Sequence, residues 1–506
     1  MATLPTLLNR LTKTRYYGVR VGRTTGIFES WSACEPQVSG FSGAQFRAFD
    51  SIEEAQEYIS TPIEEDNVMN LSVDQNAVFE KYLGGENIFM TGPGGTGKSR
   101  LIRHIVAHAK ASGRKVQVCA LTGCAAVLLE CNAKTVHSWS GIGMARGETT
   151  DIAKNVCQNK FKRGNWTKID LLIIDEVSMM SLRLFEILQE VAKKARRSKA
   201  TFGGLQVIFS GDFYQLPPVG DDDDRTTRQF CFESESWGRV FKNQLKLTTM
   251  FRQKDPLYCK ILNQIRVGRI SRNSIDVLKS HLNREPPSDS VFKPTLLFPM
   301  RHQVDKINNQ EMAKLGDAES KVYSVGESQD LPITKREKEL RDSFSAEFLM
   351  RESESLRNNI LCDHHLELKV GAQVMCVANI DMESSMPVCN GSQGIIVRFE
   401  NNLPVVHFNS GSVRTIDYHD WVSEVIPGLG VRQIPLILAW AITIHKSQGA
   451  TLDMAKIDIG SGIFECGQTY VALSRIKSLD GLYLQSFQHD KIRVRKIVND
   501  YYSSLH

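Results

Sequence analysis

Eight consecutive residues, Gly92-Pro-Gly-Gly-Thr-Gly-Lys98-Ser99, have the types and spacing to hold phosphate. Gly92, Gly94, Gly95 and Gly97 lack a Cβ, so backbone N–H groups there and at Thr96 can approach phosphate oxygens closely. Lys98 can reach the β- and γ-phosphates of ATP, and the Ser99 hydroxyl is a ligand for Mg2+. The string fits G-x-x-x-x-G-K-[ST] in full. A second pair, Asp175-Glu176, ends the apolar run Leu171-Leu-Ile-Ile. Asp175 can share the Mg2+ with Ser99, and Glu176 can take a proton from an attacking water. Such a pair alone is often a solvated loop end; beside a phosphate loop it points to ATP hydrolysis.

These side chains need a strand to launch them and a helix to receive phosphate charge. Asn87-Ile-Phe-Met-Thr91 reads as a buried strand entering the loop. Leu101, Ile102, Ile105, Val106 and Ala109 mark one face of the helix that leaves it, with Gly113 as its stop. From Leu71 onward apolar strands alternate with helical segments, the pattern of an α/β domain. A second region of that kind starts near Lys246. The expected boundaries are a basic arm (1–15), a small unit (16–60), a linker (61–70), a first α/β domain (71–245, with a small insert near 140–165) and a second (246–506, with an insert near 320–435). In the second insert, Val370–Met375 and Cys389–Val397 alternate around an Asn-Gly turn, which predicts a small β-barrel.

Composition sets the bounds. The chain has 506 residues, 42% hydrophobic and 24% charged, with a net charge of +5 that permits a nucleic-acid partner without arguing for one. Eleven cysteines without a C-x-x-C pair read as free thiols in a reducing compartment. No apolar run reaches the ~18 residues of a membrane span, so no membrane partner is expected. Arg10, Lys13 and Arg15 make the first fifteen residues a basic arm, with a mitochondrial presequence as the alternative. Lys193–Lys199 reads as a solvated helix end and Asp221–Asp224 as a solvated acidic loop. Cys362-Asp-His364-His365 lacks a spaced partner pair, so no zinc site is expected.

The ordered strings along residues 71 to 490 resemble the motifs of superfamily 1B helicases, the PIF (petite integration frequency) family above all. They are Leu71–Gln75, Ala120–Ala126, Thr135–Trp139, Phe202–Gln206, Phe209–Pro218, Met250–Gln253, Thr443–Thr451 and Tyr470–Arg475. The resemblance implies an α/β fold: two RecA-like P-loop motor domains with an SH3-like β-barrel insert. It implies that Gln75 reads the adenine edge, Gln215 senses the γ-phosphate, Arg252 and Arg475 act as arginine fingers, and Gln448 and Gly449 touch nucleotide. It places Thr122, His137, Phe213, Thr443, His445 and Lys446 on nucleic acid, as groups that hydrogen-bond a backbone or stack on bases. The stretch 317–359 has no counterpart in the family pattern. The implied function is 5′→3′ translocation on single-stranded DNA with unwinding at duplex junctions, in DNA replication, repair or genome maintenance. An ATPase that remodels hybrids or nucleoprotein without unwinding is the alternative. Arginines on a second domain fit either, because they make domain closure depend on the nucleotide.

Ahead of the motor, residues 1–49 hold six Lys/Arg against Glu29 and Glu35, a local charge of +4. Tyr17–Phe28 reads as strand-turn-strand, Trp31 opens a helix, Phe46–Phe49 is a strand and Ser51–Tyr58 a capped helix. This α+β unit resembles the hybrid-binding domain of type-one ribonucleases H and caulimovirus viroplasmins. The resemblance places Tyr17, Trp31, Phe46 and Arg47 on an RNA–DNA hybrid such as an R-loop. Ala48 stands where the family has a second basic residue. A protein–protein adaptor is the alternative, and with no ribonuclease catalytic domain in the sequence no nuclease activity is expected. The expected location is intracellular: the nucleus first, a mitochondrion or viral replication site as alternatives.

Overall fold

The computed structural model describes residues 16–21, 23–38, 45–49, 52–60 and 71–505, apart from 123–124, 127–128, 130, 132, 144, 146, 222, 287–292, 329–330, 332–333, 361, 379, 381–387, 389–390 and 424–425. The expected basic arm, the 61–70 linker and the Asn390 turn position lie outside the described residues. The chain divides into two compact units, Met1–Leu71 and Ser72–His506.

In the first unit, Gly26–Phe28, Tyr16–Val21 and Gln45–Phe49 form an antiparallel sheet in that order, with helices Trp31–Val38 and Ile52–Ser60. Val19, Cys34 and Val38 make its core, with Tyr17 and Phe28 against it. A Cβ on Gly18 would meet the Tyr58 ring at 3.0 Å, so glycine lets the second helix seat on the sheet. Tyr17 stands opposite Phe28 and Ala48, Phe46 opposite Val19, and Arg47 opposite Gly18.

The second unit holds two lobes. In the first, six parallel strands run in the order Lys134–Thr135, Val116–Ala120, Leu171–Asp175, Gln206–Gly211, Ile88–Thr91, Asn243–Lys246. Three of them are buried along their whole length, as a parallel sheet covered on both faces requires. The Lys98–Ala111 helix buries the five apolar positions expected of it. The insert forms helices Thr149–Gln158 and Lys160–Thr167, and fully buried Trp166 packs 4.7 Å from Trp139. Arg196, in the basic run expected to be solvated, is half-buried and bonds the Trp166, Ile169 and Gly203 carbonyls. Asp224 of the acidic loop pairs with Arg183.

In the second lobe the parallel order is Ala441–Thr443, Thr295–Phe298, Ala455–Ile459, Leu482–Phe487. Its insert is a five-stranded antiparallel sheet ordered Val413–Thr415, Leu403–Phe408, Gln393–Glu400, Gln373–Cys376, Leu436–Leu438. The two outer strands do not pair with each other among the described residues. The unassigned stretch 317–359 adds Ser320–Ser324 to His365–Lys369 and Gly326–Glu327 to Gly430–Gln433, then forms helices Lys335–Asp342 and Ala346–Asn359. The last helix, Lys496–Ser504, packs into the core of the first lobe, where Val498 and Tyr502 are buried with Phe89 and Phe213. Among the described residues no His/Cys/Asp/Glu cluster could hold a metal, and no helix is long and apolar enough to cross a membrane.

Candidate active site between the lobes

The buried Ile88–Thr91 strand delivers the phosphate loop and the Lys98–Ala111 helix receives it. Gly95 (φ +96°) and Gly97 (φ +76°) hold backbone conformations that side chains resist. A Cβ on Gly95 would lie 2.7 Å from Arg252 Cβ and 2.8 Å from Gln253 Oε1. Thr96 is 1% exposed, its hydroxyl donating to the Pro93 carbonyl at 2.9 Å. The Lys98 ammonium donates to the Gly92 and Pro93 carbonyls at 2.6 and 3.0 Å, so it lies along the loop. Burial pushes that ammonium below its ordinary range, and Asp212, Glu176 and Asp175 pull the other way. A buried lysine held this way is suited to a ligand that brings negative charge. Gln75 caps its own helix through the Ser72 amide (3.2 Å) and donates Nε2 to the Thr96 carbonyl at 3.2 Å.

Asp175 ends the fully buried central strand. Burial raises its carboxyl, while Lys98 and Ser99 draw it back down. Ser99 and Asp175 are hard oxygen donors, the kind Mg2+ takes. Glu176 stands in the left-handed region at φ 55°, which turns it off the strand end. Burial first, then the Asp175 charge, pushes its carboxyl up to about 7.

The second lobe enters this site at four points. Gln448 Nε2 donates to Glu176 Oε2 at 3.2 Å, and adjacent Gly449 (φ +85°) lets the loop turn there. Tyr470 Oη accepts the Gly94 amide at 2.9 Å. Arg475 is 2% exposed, donates Nε to the Val471 carbonyl at 2.9 Å, and reaches to 3.6 Å of a Cβ built on Gly94. Arg252 donates to the Ser474 carbonyl at 3.1 Å, and its own backbone is tied to Gly95. Burial and the neighbouring Arg475 disfavour its charged form, but a guanidinium stays charged in proteins. The cleft thus concentrates positive charge where a γ-phosphate would leave. Gln215 and Gln253 are buried with their carbonyl Oε1 atoms unpartnered. Buried acceptors normally find a donor, and a water held beside a bound triphosphate is such a donor.

The site roles of three residues escaped the sequence reading. Gln253 donates to the Ser474 and Ile476 carbonyls, and Tyr470 takes a loop amide. Phe251 is 45% exposed beside Gly97. Phe251 and Gln253 flank Arg252 and Tyr470 lies in the Arg475 string, so adjacency to the arginines was the available signal.

The expected nucleic-acid residues divide. His137 is exposed on the Val136–Ser140 helix, and Lys446 is exposed. His445 is half-buried and stacks 6.1 Å from Phe464, itself 57% exposed. Thr122 and Thr443 are half-buried and use their hydroxyls locally, accepting the Ala125 and Lys446 amides. Phe213 departs from expectation. It is 2% exposed, ringed by Phe89, Phe230, Phe232 and Trp237, so its apolar ring belongs to the core and cannot stack on a base. In the first unit Phe46 is 41% exposed and Tyr17 half-buried. Trp31 heads its helix and Arg47 lies mid-strand, but their side chains lie outside the described features.

Known proteins resemble this chain over most of its length. A PIF1-like helicase model matches residues 70–274, a DNA helicase Pif1 2B domain model matches 352–399, and a ribonuclease H1 N-terminal domain model matches 15–59. The ATP-dependent DNA helicase PIF1 of Emericella nidulans is 33% identical over 488 residues, covering 85% of this chain and 62% of its own length. The Pif1 helicase crystal structure from Candida albicans is 31% identical and covers 87% of this chain and 100% of that one, with a TM-score of 0.68. Bacteroides Pif1 in complex with ADP-AlF3 and ssDNA is 28% identical, covering 86% of this chain and 97% of that one, with a TM-score of 0.60. The chain spans less than two thirds of the length of the curated relatives it matches. With the Candida albicans structure matched over its whole length at 31% identity, the chain belongs to the family of PIF1-like helicases.

Proposed function

We propose that this chain is an ATP-dependent DNA helicase that moves along single-stranded DNA and separates duplexes at junctions. The observation that carries the reading is the pair of cross-lobe bonds, Gln448 to Glu176 and Gly94 to Tyr470. Both end on groups that a triphosphate and its attacking water would contact, so hydrolysis must alter how the lobes meet. The phosphate loop and Lys98 hold the β- and γ-phosphates. Glu176 takes the proton of the attacking water as its oxygen bonds the γ-phosphorus and the bond to the β-phosphate oxygen breaks. Arg252 and Arg475 offset the charge that builds on the departing group. Mg2+, held by Ser99 and Asp175, would supply further charge to the phosphate oxygens. The single strand in the Bacteroides relative's complex supports the proposed track, with Thr122, His137, Thr443, His445 and Lys446 on the strand, and the motif resemblance implies a 5′→3′ direction. The ribonuclease H1-type match supports recruitment to RNA–DNA hybrids by the first unit. A nuclear setting goes with this role.

The test is strand displacement on 5′-tailed and 3′-tailed duplexes under single-turnover conditions. Unwinding of the 5′-tailed substrate is expected, and Lys98→Ala should abolish it together with ATP turnover. DNA-stimulated hydrolysis without displacement would favour a remodelling ATPase. Displacement of the 3′-tailed substrate alone would reverse the polarity.

A further inference from the structure

None of the nucleotide or nucleic-acid motifs uses the Lys496–Ser504 helix, yet Tyr502 on it stands where several of them meet. Its hydroxyl lies 2.5 Å from Thr91 Oγ1, 3.1 Å from the Phe213 amide and 3.4 Å from Asp212 Oδ1. Thr91 is the last residue of the strand that enters the phosphate loop. Asp212 and Phe213 begin the turn that carries Gln215, whose backbone N–H donates to the Asp212 carbonyl. Arg266, at the end of the second lobe's Pro256–Arg266 helix, grips Asp212 with Nε to Oδ2 at 2.9 Å and Nη2 to Oδ1 at 2.8 Å. The guanidinium sits 4.5 Å over the Tyr214 ring and 5.3 Å from the Tyr502 ring, and these two rings stack at 4.6 Å. Thr91 and Asp212 are 0% exposed, Tyr502 5% and Arg266 7%.

The donor and acceptor chemistry allows one assignment that satisfies every member. The Phe213 amide can only donate, so the Tyr502 oxygen accepts. The Asp212 carboxylate, paired with Arg266, can only accept, so the phenol proton points to Oδ1. Thr91 then donates to the second lone pair of Tyr502. Burial, followed by the Asp212 charge, holds the phenol well above its ordinary range, so it keeps that proton. A buried ion pair depends on further hydrogen bonds to its polar atoms, and the Tyr214 backbone N–H and the Tyr502 hydroxyl supply two to Asp212 Oδ1.

We propose that Tyr502 is a positioning residue that couples the nucleotide site to the second lobe. Its hydroxyl ties the strand beneath the phosphate loop to the Gln215 turn, and Asp212 passes any movement of that turn to Arg266. Loss of the γ-phosphate is thereby delivered to the second lobe as a displacement of the Pro256–Arg266 helix. The proposal rests on the helicase reading above.

The experiment measures, on one 5′-tailed duplex, the ATP turned over and the strand displaced by the full chain and by Tyr502→Phe, with thermal unfolding alongside. Tyr502→Phe keeps the ring stack and removes only the hydroxyl. Displacement per ATP is expected to fall about fivefold or more, the scale of a coupling between sites, while ATP turnover on saturating single strands falls less than about twofold. Arg266→Lys keeps the charge, loses the two-pronged grip, and should uncouple in the same way. The double variant should be no worse than Arg266→Lys alone, because both act on one connection. Equal proportional losses of turnover and displacement, or unchanged coupling in either folded variant, would overturn the proposal. Absence of displacement by the unaltered chain would instead overturn the helicase reading beneath it.

Discussion

In the proposed mechanism Glu176 carries the most chemistry of any single residue in the cleft. Its left-handed backbone turns the carboxylate off the strand, and Gln448 holds it from across the lobes. Glu176→Gln removes the proton acceptor and keeps the shape. Hydrolysis should fall about 10²–10⁴-fold, the usual worth of a general base, with ATP still bound. Turnover beside fluorescent-nucleotide titration checks this, and full turnover would remove Glu176 from that role. Phe251 makes a different claim. The residue is exposed beside Gly97, where Gln75 also approaches. If it stacks on the base, Phe251→Ala should raise KM for ATP and leave kcat nearly unchanged, a loss of about 0.5–1.5 kcal/mol. An unchanged KM would leave Gln75 as the residue that reads the base edge.

At the scale of elements, the site rests on buried strands whose ends present the loop and carboxylates, and on small inserts that brace them. The Lys160–Thr167 helix is short and mostly polar, and Trp166 anchors it. The indole packs on Trp139 and donates Nε1 to the Ser140 carbonyl at 3.0 Å. Trp166→Ala should cost about 3–5 kcal/mol of stability through the cavity and the orphaned carbonyl, with Trp166→Phe losing less. Chemical unfolding followed by circular dichroism would measure both, and equal stability of the two would mean that the insert is held elsewhere. The central strands were readable because near-continuous apolar runs have few other fates. The stretch 317–359 was not: its strands Ser320–Ser324 and Gly326–Glu327 pair with residues 40 to 110 positions away in sequence, beyond any local pattern.

For the whole molecule, the relation between the two units is a question of binding. If residues 16–60 recruit the motor to hybrids, deleting residues 1–60 should leave ATP turnover on saturating single-stranded DNA within about twofold. It should weaken binding to hybrid-tailed substrates by about tenfold or more, since a short tether supplies a high local concentration. Titration at fixed salt checks this. Equal hybrid affinity of the intact and shortened chains would favour a protein–protein adaptor in the first unit.

What the sequence determined by itself was local chemistry. The groups of Gly92–Ser99 lie a few residues apart on a strand end and a helix start, so their spacing could be read as a phosphate loop, while Asp175-Glu176 gained its meaning only beside that loop. Tertiary structure decided which surface each side chain meets. The string Phe209–Pro218 marked Phe213 for nucleic acid, but burying an aromatic ring among Phe89, Phe232 and Trp237 is the stronger drive, and it joined the core. Only the folded chain brings Tyr502 to Thr91 across 411 positions of sequence. Partners that distant leave no periodicity to read; they meet because the last helix buries its apolar face against the first lobe.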